Sequence, residues 1–282
     1  MKKILLLGII VPSFLQAQRW HINLSGGISN YSGDLQSKSF TLDQSYAAFA
    51  LGAQYDLTPR ISVLSNISLM KVGAADKYNK PSLQFRNLSF QTQIVELNVL
   101  GEYNFFDISR SRFTPYINAG IALYHFNPYA FDSSGNKVYL QPLSTEGEGL
   151  PQYPNIKPYN LYQIAIPFGA GVKLRITDNV VLAYEISFRK LFTDYLDDVS
   201  NSYVDHDILL AAKGSKAVEM AYRGGELKGG DPNYPGAGTL RGSAKYKDWY
   251  YFTGIRISIA LVSKKDPYYG RGRIDCPPKK VY

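Results

Sequence analysis

Cysteine is almost missing from this 282-residue chain, and so is histidine: Cys276 stands alone, and His21, His125 and His206 are the only imidazoles. One thiol excludes an internal disulfide. The three histidines fall on separate segments, without the helical spacing that would set two of them on one metal. Long hydrophobic runs are also absent. The mean hydropathy is −0.19, and the apolar stretch 4–14 is shorter than the roughly 20 residues that a helical span needs. No RNP, zinc-finger or basic-helix pattern is present, nor any repeat with a period of about 20–50 residues. No G-x-S-x-G accompanies the histidines, so a Ser-His-Asp hydrolase is disfavoured and no catalytic residue is assigned. The Gly-rich stretch 224–242 does not follow a βα turn and so does not read as a phosphate cradle.

What is present is aromatic and basic: aromatics make up 14% of the residues, Tyr alone 23 of them, and the formal charge is +8. An excess of that sign suits anionic lipid or nucleic acid, or nothing specific. Lys2-Lys3, the apolar stretch 4–14 and Leu15-Gln16-Ala17 together read as a secretory signal peptide cut after Ala17. No cysteine sits at the cut, so it is not a lipoprotein signal. Export argues against nucleic acid as a partner. The expected organisation is a signal peptide over 1–17, a barrel over 18–262 and a tail over 263–282.

The barrel is read from alternation. In WYYFTGIRISIAL, 249–261, the odd positions are Trp, Tyr, Thr and then four aliphatics, while the even ones mix small residues with Arg256. Side chains alternate faces along a strand, so one face is continuously apolar. Thirteen residues exceed the 9–11 or so that a tilted strand needs to cross a bilayer. The same pattern recurs from about residue 19 and over 47–57, 61–72, 89–105, 113–126, 161–176 and 180–192. Between these strands the connections alternate long, short, long, short, long, short, long, with the last loop expected to hold a helix near 207–222. This is the plan of an all-β, transmembrane, eight-stranded antiparallel up-and-down barrel, with long extracellular loops, short periplasmic turns and both termini in the periplasm. A soluble barrel with its apolar face inward is the rival. Two features weigh against it: Gly, Ala, Ser and Asn crowd the polar face, and aromatics gather at the ends of the apolar one.

With those faces, Glu96, Glu102, Lys173, Glu185, Arg189 and Arg256 point into the lumen, as does Arg175. Unpaired charge there is costly, so they are expected to pair into a polar core that plugs the barrel. A proton or ion path is the sharper alternative, but eight strands leave little bore. Where the seventh strand enters the last loop, Asp194, Asp197, Asp198, Asp205 and Asp207 form an acidic cluster. Asp194, Asp197 and Asp198 are a weak Ca²⁺ candidate, without EF-hand spacing and equally well explained by capping and ion pairs; no cofactor is called for. The tail is basic. An odd cysteine in an exported chain suggests an intermolecular bond, so Cys276, with Arg271 and Arg273, is the candidate partner-binding segment.

Four stretches carry a resemblance: GGISNYSGDL (26–35), RFTPYINAGIALYHFNP (112–128), YLQPLSTEGEG (139–149) and FRKLFTDYLDDVS (188–200). Together they resemble the PorG family, outer-membrane components of the type IX secretion system of Bacteroidetes, over about residues 19–276. The resemblance implies a non-enzymatic subunit. It also implies partners, a PorK-type lipoprotein and a PorN-type periplasmic ring protein, with contact by a disulfide through Cys276 one route. A stand-alone barrel for adhesion or envelope integrity is the alternative.

Overall fold

The computed structural model describes residues 19–38 and 40–261. The signal-peptide reading and the tail residues Arg271, Arg273 and Cys276 lie outside the described residues.

Eight long strands carry the wall: β1 (Arg19–Ser32), β2 (Tyr46–Asp56), β3 (Ile61–Ala75), β4 (Ser89–Asn104), β5 (Phe113–His125), β8 (Tyr162–Arg175), β9 (Val180–Leu191) and β10 (Trp249–Ala260). A small hairpin, β6 (Tyr129–Phe131) and β7 (Lys137–Tyr139), lies in the loop between β5 and β8. Each long strand pairs antiparallel with the next, and β10 returns to β1 through Ile22↔Ile259, Leu24↔Ile257 and Gly26↔Ile255. The sheet therefore closes, which leaves the long strands no free edge. The strand bounds follow the alternation to within a few residues. In the last loop the expected helix is two short ones, α2 (His206–Lys213) and α3 (Ser215–Ala221), broken at Gly214, whose φ is 83°. Only glycine adopts that backbone without strain. A one-turn helix, α1 (Pro81–Gln84), lies between β3 and β4.

Burial is inverted relative to a soluble barrel. Leu24, Phe49, Leu51, Ile67, Leu69 and Ile121 are each more than half exposed on the outer wall. Asn23, Glu96, Asn98, Glu102 and Arg256 are buried inside it. An exposed apolar surface of this extent has lipid as its natural solvent. Aromatic rings mark its edges: Trp20 against Tyr55 and Tyr103 against Phe105 at one end, and Phe168, Phe188 and Trp249 at the other. Tyr251, two residues on from Trp249 on the same strand face, is covered. Phe40 stacks on it with ring centres 4.8 Å apart, and its hydroxyl donates to the Thr41 carbonyl at 2.7 Å.

Two of the three short turns share one device. Thr58 Oγ1 accepts from the amides of Arg60 and Ile61, and Thr177 Oγ1 does the same for Asn179 and Val180. A hydroxyl that satisfies two amides holds a tight reversal without a long loop. At the opposite end, segments 33–38, 40–45, 76–88, 126–161 and 192–248 fold together into a cap.

Candidate functional site

Two polar assemblies sit one above the other, a plug in the lumen and a network in the cap.

The plug has two clusters. Toward the long loops, Arg189 on β9 donates from Nε and Nη2 to both oxygens of Glu96 on β4, at 3.1 and 3.2 Å. Tyr250 Oη at 2.6 Å and Asn98 Nδ2 at 2.7 Å complete that carboxylate. Toward the short turns, Glu102 on β4 takes Lys173 from β8 on one oxygen and Arg256 from β10 on the other. Arg256 also lies 3.5 Å from Glu185, which accepts from Tyr116 Oη at 2.8 Å and Asn118 Nδ2 at 3.3 Å. The Tyr116 ring has Lys173 and Arg256 over it, at 4.9 and 5.1 Å from its centre. Gly171 opposes Tyr116 on β8, and a Cβ there would strike the ring at 2.8 Å. Three carboxylates therefore face three cations across the bore. All six expected residues are lumenal, and they pair in two clusters, with Glu96 and Arg189 in one and Glu185 and Arg256 in the other. Arg175 is not part of either: it bonds the Ser109 carbonyl at the short-turn end.

Buried charges survive only when each is paired and its remaining lone pairs and protons are used, because desolvation is otherwise prohibitive. The balance here meets most of that demand and fills the bore. Two spaces beside the plug are about 30 Å³ each, one or two waters in size. The barrel is plugged, not open.

The cap gathers residues far apart in sequence. The Glu146 carboxylate accepts from the amides of Ser200 and Asn201, at 2.9 and 2.8 Å, and from Arg241 at 3.0 Å. Asp198, at φ 65°, accepts from Thr145 Oγ1 and Tyr159 Oη, both at 2.6 Å. Asp76 and Arg86 form a buried ion pair at 2.6 Å. Tyr31 Oη lies 2.6 Å from Asp197 and 2.7 Å from Asp248. A hydroxyl has one proton to give, so one of these two buried carboxyls must carry its own.

Acid outnumbers base in the cap, and burial pushes the carboxyls up. Asp197 and Asp248 are raised well above the usual range, by burial first and by neighbouring carboxylates second. Burial, with the charges of Asp198 and Glu146, lifts Glu148 to about 8. Asp194 rises to about 7, chiefly by burial. Asp198 stops at about 6 because Arg241 and its two hydroxyl donors oppose burial.

The Ca²⁺ candidate is not assembled. Asp194 turns to Ser200 Oγ, Asp197 to Tyr31 and the Val199 amide, and Asp198 to Thr145 and Tyr159. Among the described residues no three His, Cys, Asp or Glu side chains converge as ligands. Asp205 caps α2 by accepting from the amides of Asp207 and Ile208. Sequence reasoning did not single out Asp34, Arg86, Glu146, Glu148, Arg241 or Asp248. Glu146 and Glu148 stood inside YLQPLSTEGEG, but the partners of Glu146 are 54 to 95 residues away, and no local pattern reports such contacts.

A closed, plugged barrel with an apolar outer wall and a folded cap is a β-barrel of the outer-membrane type. The chain belongs to the family described as "Domain of unknown function (DUF6089)", whose model matches residues 2–144. No curated protein matches it in sequence. Among solved structures it is similar to Neisserial surface protein A, at 11% identity and TM-score 0.40, over 85% of this chain and 96% of that one. It is also similar to Ail of Yersinia pestis, at 8% and 0.40, over 88% and 100%. A major outer membrane protein of Thermus thermophilus is a third, at 12% and 0.43, over 87% and 100%.

Proposed function

We propose that this protein is a non-enzymatic anchor of the type IX secretion machinery, a barrel that ties a periplasmic assembly of PorK and PorN type to the outer membrane. The plug carries the anchoring half of this reading: a bore filled by Glu96–Arg189 and Glu102–Lys173–Arg256 passes no polypeptide, which leaves a surface role rather than transport. The secretion half is supported by the PorG-like stretches. Three of the four meet in the cap, Tyr31 and Asp34 from the first, Thr145 and Glu146 from the third, and Asp194 to Ser200 from the last. In this reading the long loops face outward and the basic tail faces the periplasm, where Cys276, Arg271 and Arg273 are placed to dock the ring.

Affinity capture of the full-length protein from gently solubilised outer membranes tests it. The expected result is co-purification of a lipoprotein and a ring-forming periplasmic protein, lost when residues 263–282 are removed. On a non-reducing gel, an adduct that disappears in Cys276→Ser would make the dock covalent. A barrel recovered alone under all conditions would overturn the anchoring role.

A further inference from the structure

Where the outer wall meets the cap, a half-open cleft of about 580 Å³ is walled by the ends of β2, β3 and β4, by β6 and by Arg223. We propose that this cleft binds the anionic saccharide headgroup of a glycolipid in the adjoining leaflet.

Height along the wall comes first. On β3 the outward side chains run Ile67, Leu69 and then Lys71; on β4 they run Leu97, Val95 and then Gln93 and Gln91. The aliphatic belt thus stops one outward position, about 7 Å, short of Lys71. The cleft opens just beyond Lys71, its strand lining beginning at Tyr46, Ala74 and Gln91, which is headgroup depth for a lipid whose chains lie along Phe49, Leu69 and Val95.

The walls supply the chemistry of a phosphorylated sugar. Tyr46, Tyr78 and Phe131 line the cleft. Gln91 joins Tyr46 and Tyr129, donating to one hydroxyl at 3.2 Å and accepting from the other at 3.1 Å. Amides, hydroxyls and flat rings together are what a polyhydroxylated ring requires, both hydrogen-bond partners and an apolar face to lie on. The charge is uneven. Of the acids at the cleft, Asp43 is paired with Lys38 and Glu226 with Arg223. Lys71 and Lys77 make no ion pair among the described residues and rest over rings instead, 4.8 Å from the centre of Tyr46 and 4.7 Å from that of Tyr78. Lys137 does likewise at Tyr129 and Tyr139, 3.9 and 4.6 Å from their centres. Lys77 lines the cleft, Lys71 borders it over Tyr46, and Lys137 sits beyond it over Tyr129, which bonds the cleft residue Gln91; among the described residues none of the three has a carboxylate partner, which marks the ligand as anionic.

Which leaflet adjoins the cleft follows from the orientation proposed above; binding in micelles does not depend on it. The test uses the purified full-length protein in detergent with three probes. These are lipid A (an acylated, diphosphorylated glucosamine disaccharide), its deacylated soluble counterpart, and phosphatidylglycerol, read by native mass spectrometry and titration. Lipid A should bind more tightly than either other probe. Lys71→Gln/Lys77→Gln should weaken it at least tenfold, Tyr46→Ala should weaken it too, and Arg60→Gln at the far end should leave it unchanged. These side chains are exposed or half-buried, and a heat-modifiability gel verifies that each variant remains a barrel. Equal binding of phosphatidylglycerol, or an unchanged affinity in the double variant, would overturn the site and leave the anchoring role standing. Equal binding of the soluble disaccharide would overturn the lipid as its source.

Discussion

Replacing Arg256 with alanine tests the plug at its most connected point. The lower cluster is neutral, Glu102 and Glu185 against Lys173 and Arg256. Removing the guanidinium leaves one buried negative charge in excess. Breaking a buried pair from one side costs about 3–5 kcal/mol. Glu102 keeps Lys173, and Glu185 keeps Tyr116 and Asn118, so the loss belongs near the lower end, about 3 kcal/mol. That is a factor of about 100 to 200 in the folded-to-unfolded ratio. Urea unfolding in micelles reads it directly, because Trp20 and Trp249 sit at the two ends of the wall and report barrel opening by fluorescence. The partner of the experiment is Arg256→Ala/Glu185→Gln. It restores neutrality and should return about 1–2 kcal/mol, a coupling typical of contacting residues. A loss below about 1 kcal/mol, or a double variant no better than the single, would refute the claim that charge balance holds the plug.

Three further outcomes follow from the same geometry. In planar bilayers the wild-type barrel should give no steady conductance, whereas Arg189→Ala/Arg256→Ala should open a small one; a large wild-type channel would contradict a filled bore. The cap should loosen as pH rises. Glu148, Asp194 and Asp198 titrate at about 8, 7 and 6 in the fold, against 4.5, 3.8 and 3.8 ordinarily. Carboxyls raised by folding lend stability that is full in acid and is lost as pH climbs through about 6–8. Protection factors for amides over 194–205, corrected for the intrinsic base catalysis of exchange, should fall between about pH 5 and pH 9, and a flat or rising profile would refute the burial argument. Finally, Leu51→Arg, at a position 60% exposed on the wall, should cost about 2–4 kcal/mol in a bilayer if that position lies near mid-depth. An unaffected fold in liposomes would show that this wall does not face lipid.

The strands were legible because their pattern is local. A period of two needs only a dozen residues, and Leu24, Leu51, Ile67 and Ile257 announce a wall face whether or not the partner strand is known. The inward set was legible for the same reason, since the pleat that sends Val95 outward sends Glu96 in. The grouping of that inward set was not. Whether Arg256 meets Glu102 or Glu96 depends on register and stagger around a closed sheet, and those arise only when β10 pairs with β1 and β9 together. The acidic cluster shows the same division. Its five aspartates are plain in the sequence, yet as neighbours Asp194, Asp197 and Asp198 suggested one ion site. Folding sent Asp194 to Ser200, Asp197 to Tyr31, and Asp198 to Thr145 and Tyr159, because each buried carboxylate had to find its own donors and most of those lay on other segments. The sequence by itself determined the barrel, its two faces and the charges that had to be hidden. Tertiary structure alone decided which charges meet, that Tyr31 bridges Asp197 and Asp248, and that three lysines, without ion-pair partners among the described residues, gather above the lipid belt. Such contacts join segments tens to hundreds of residues apart, and no periodicity records them.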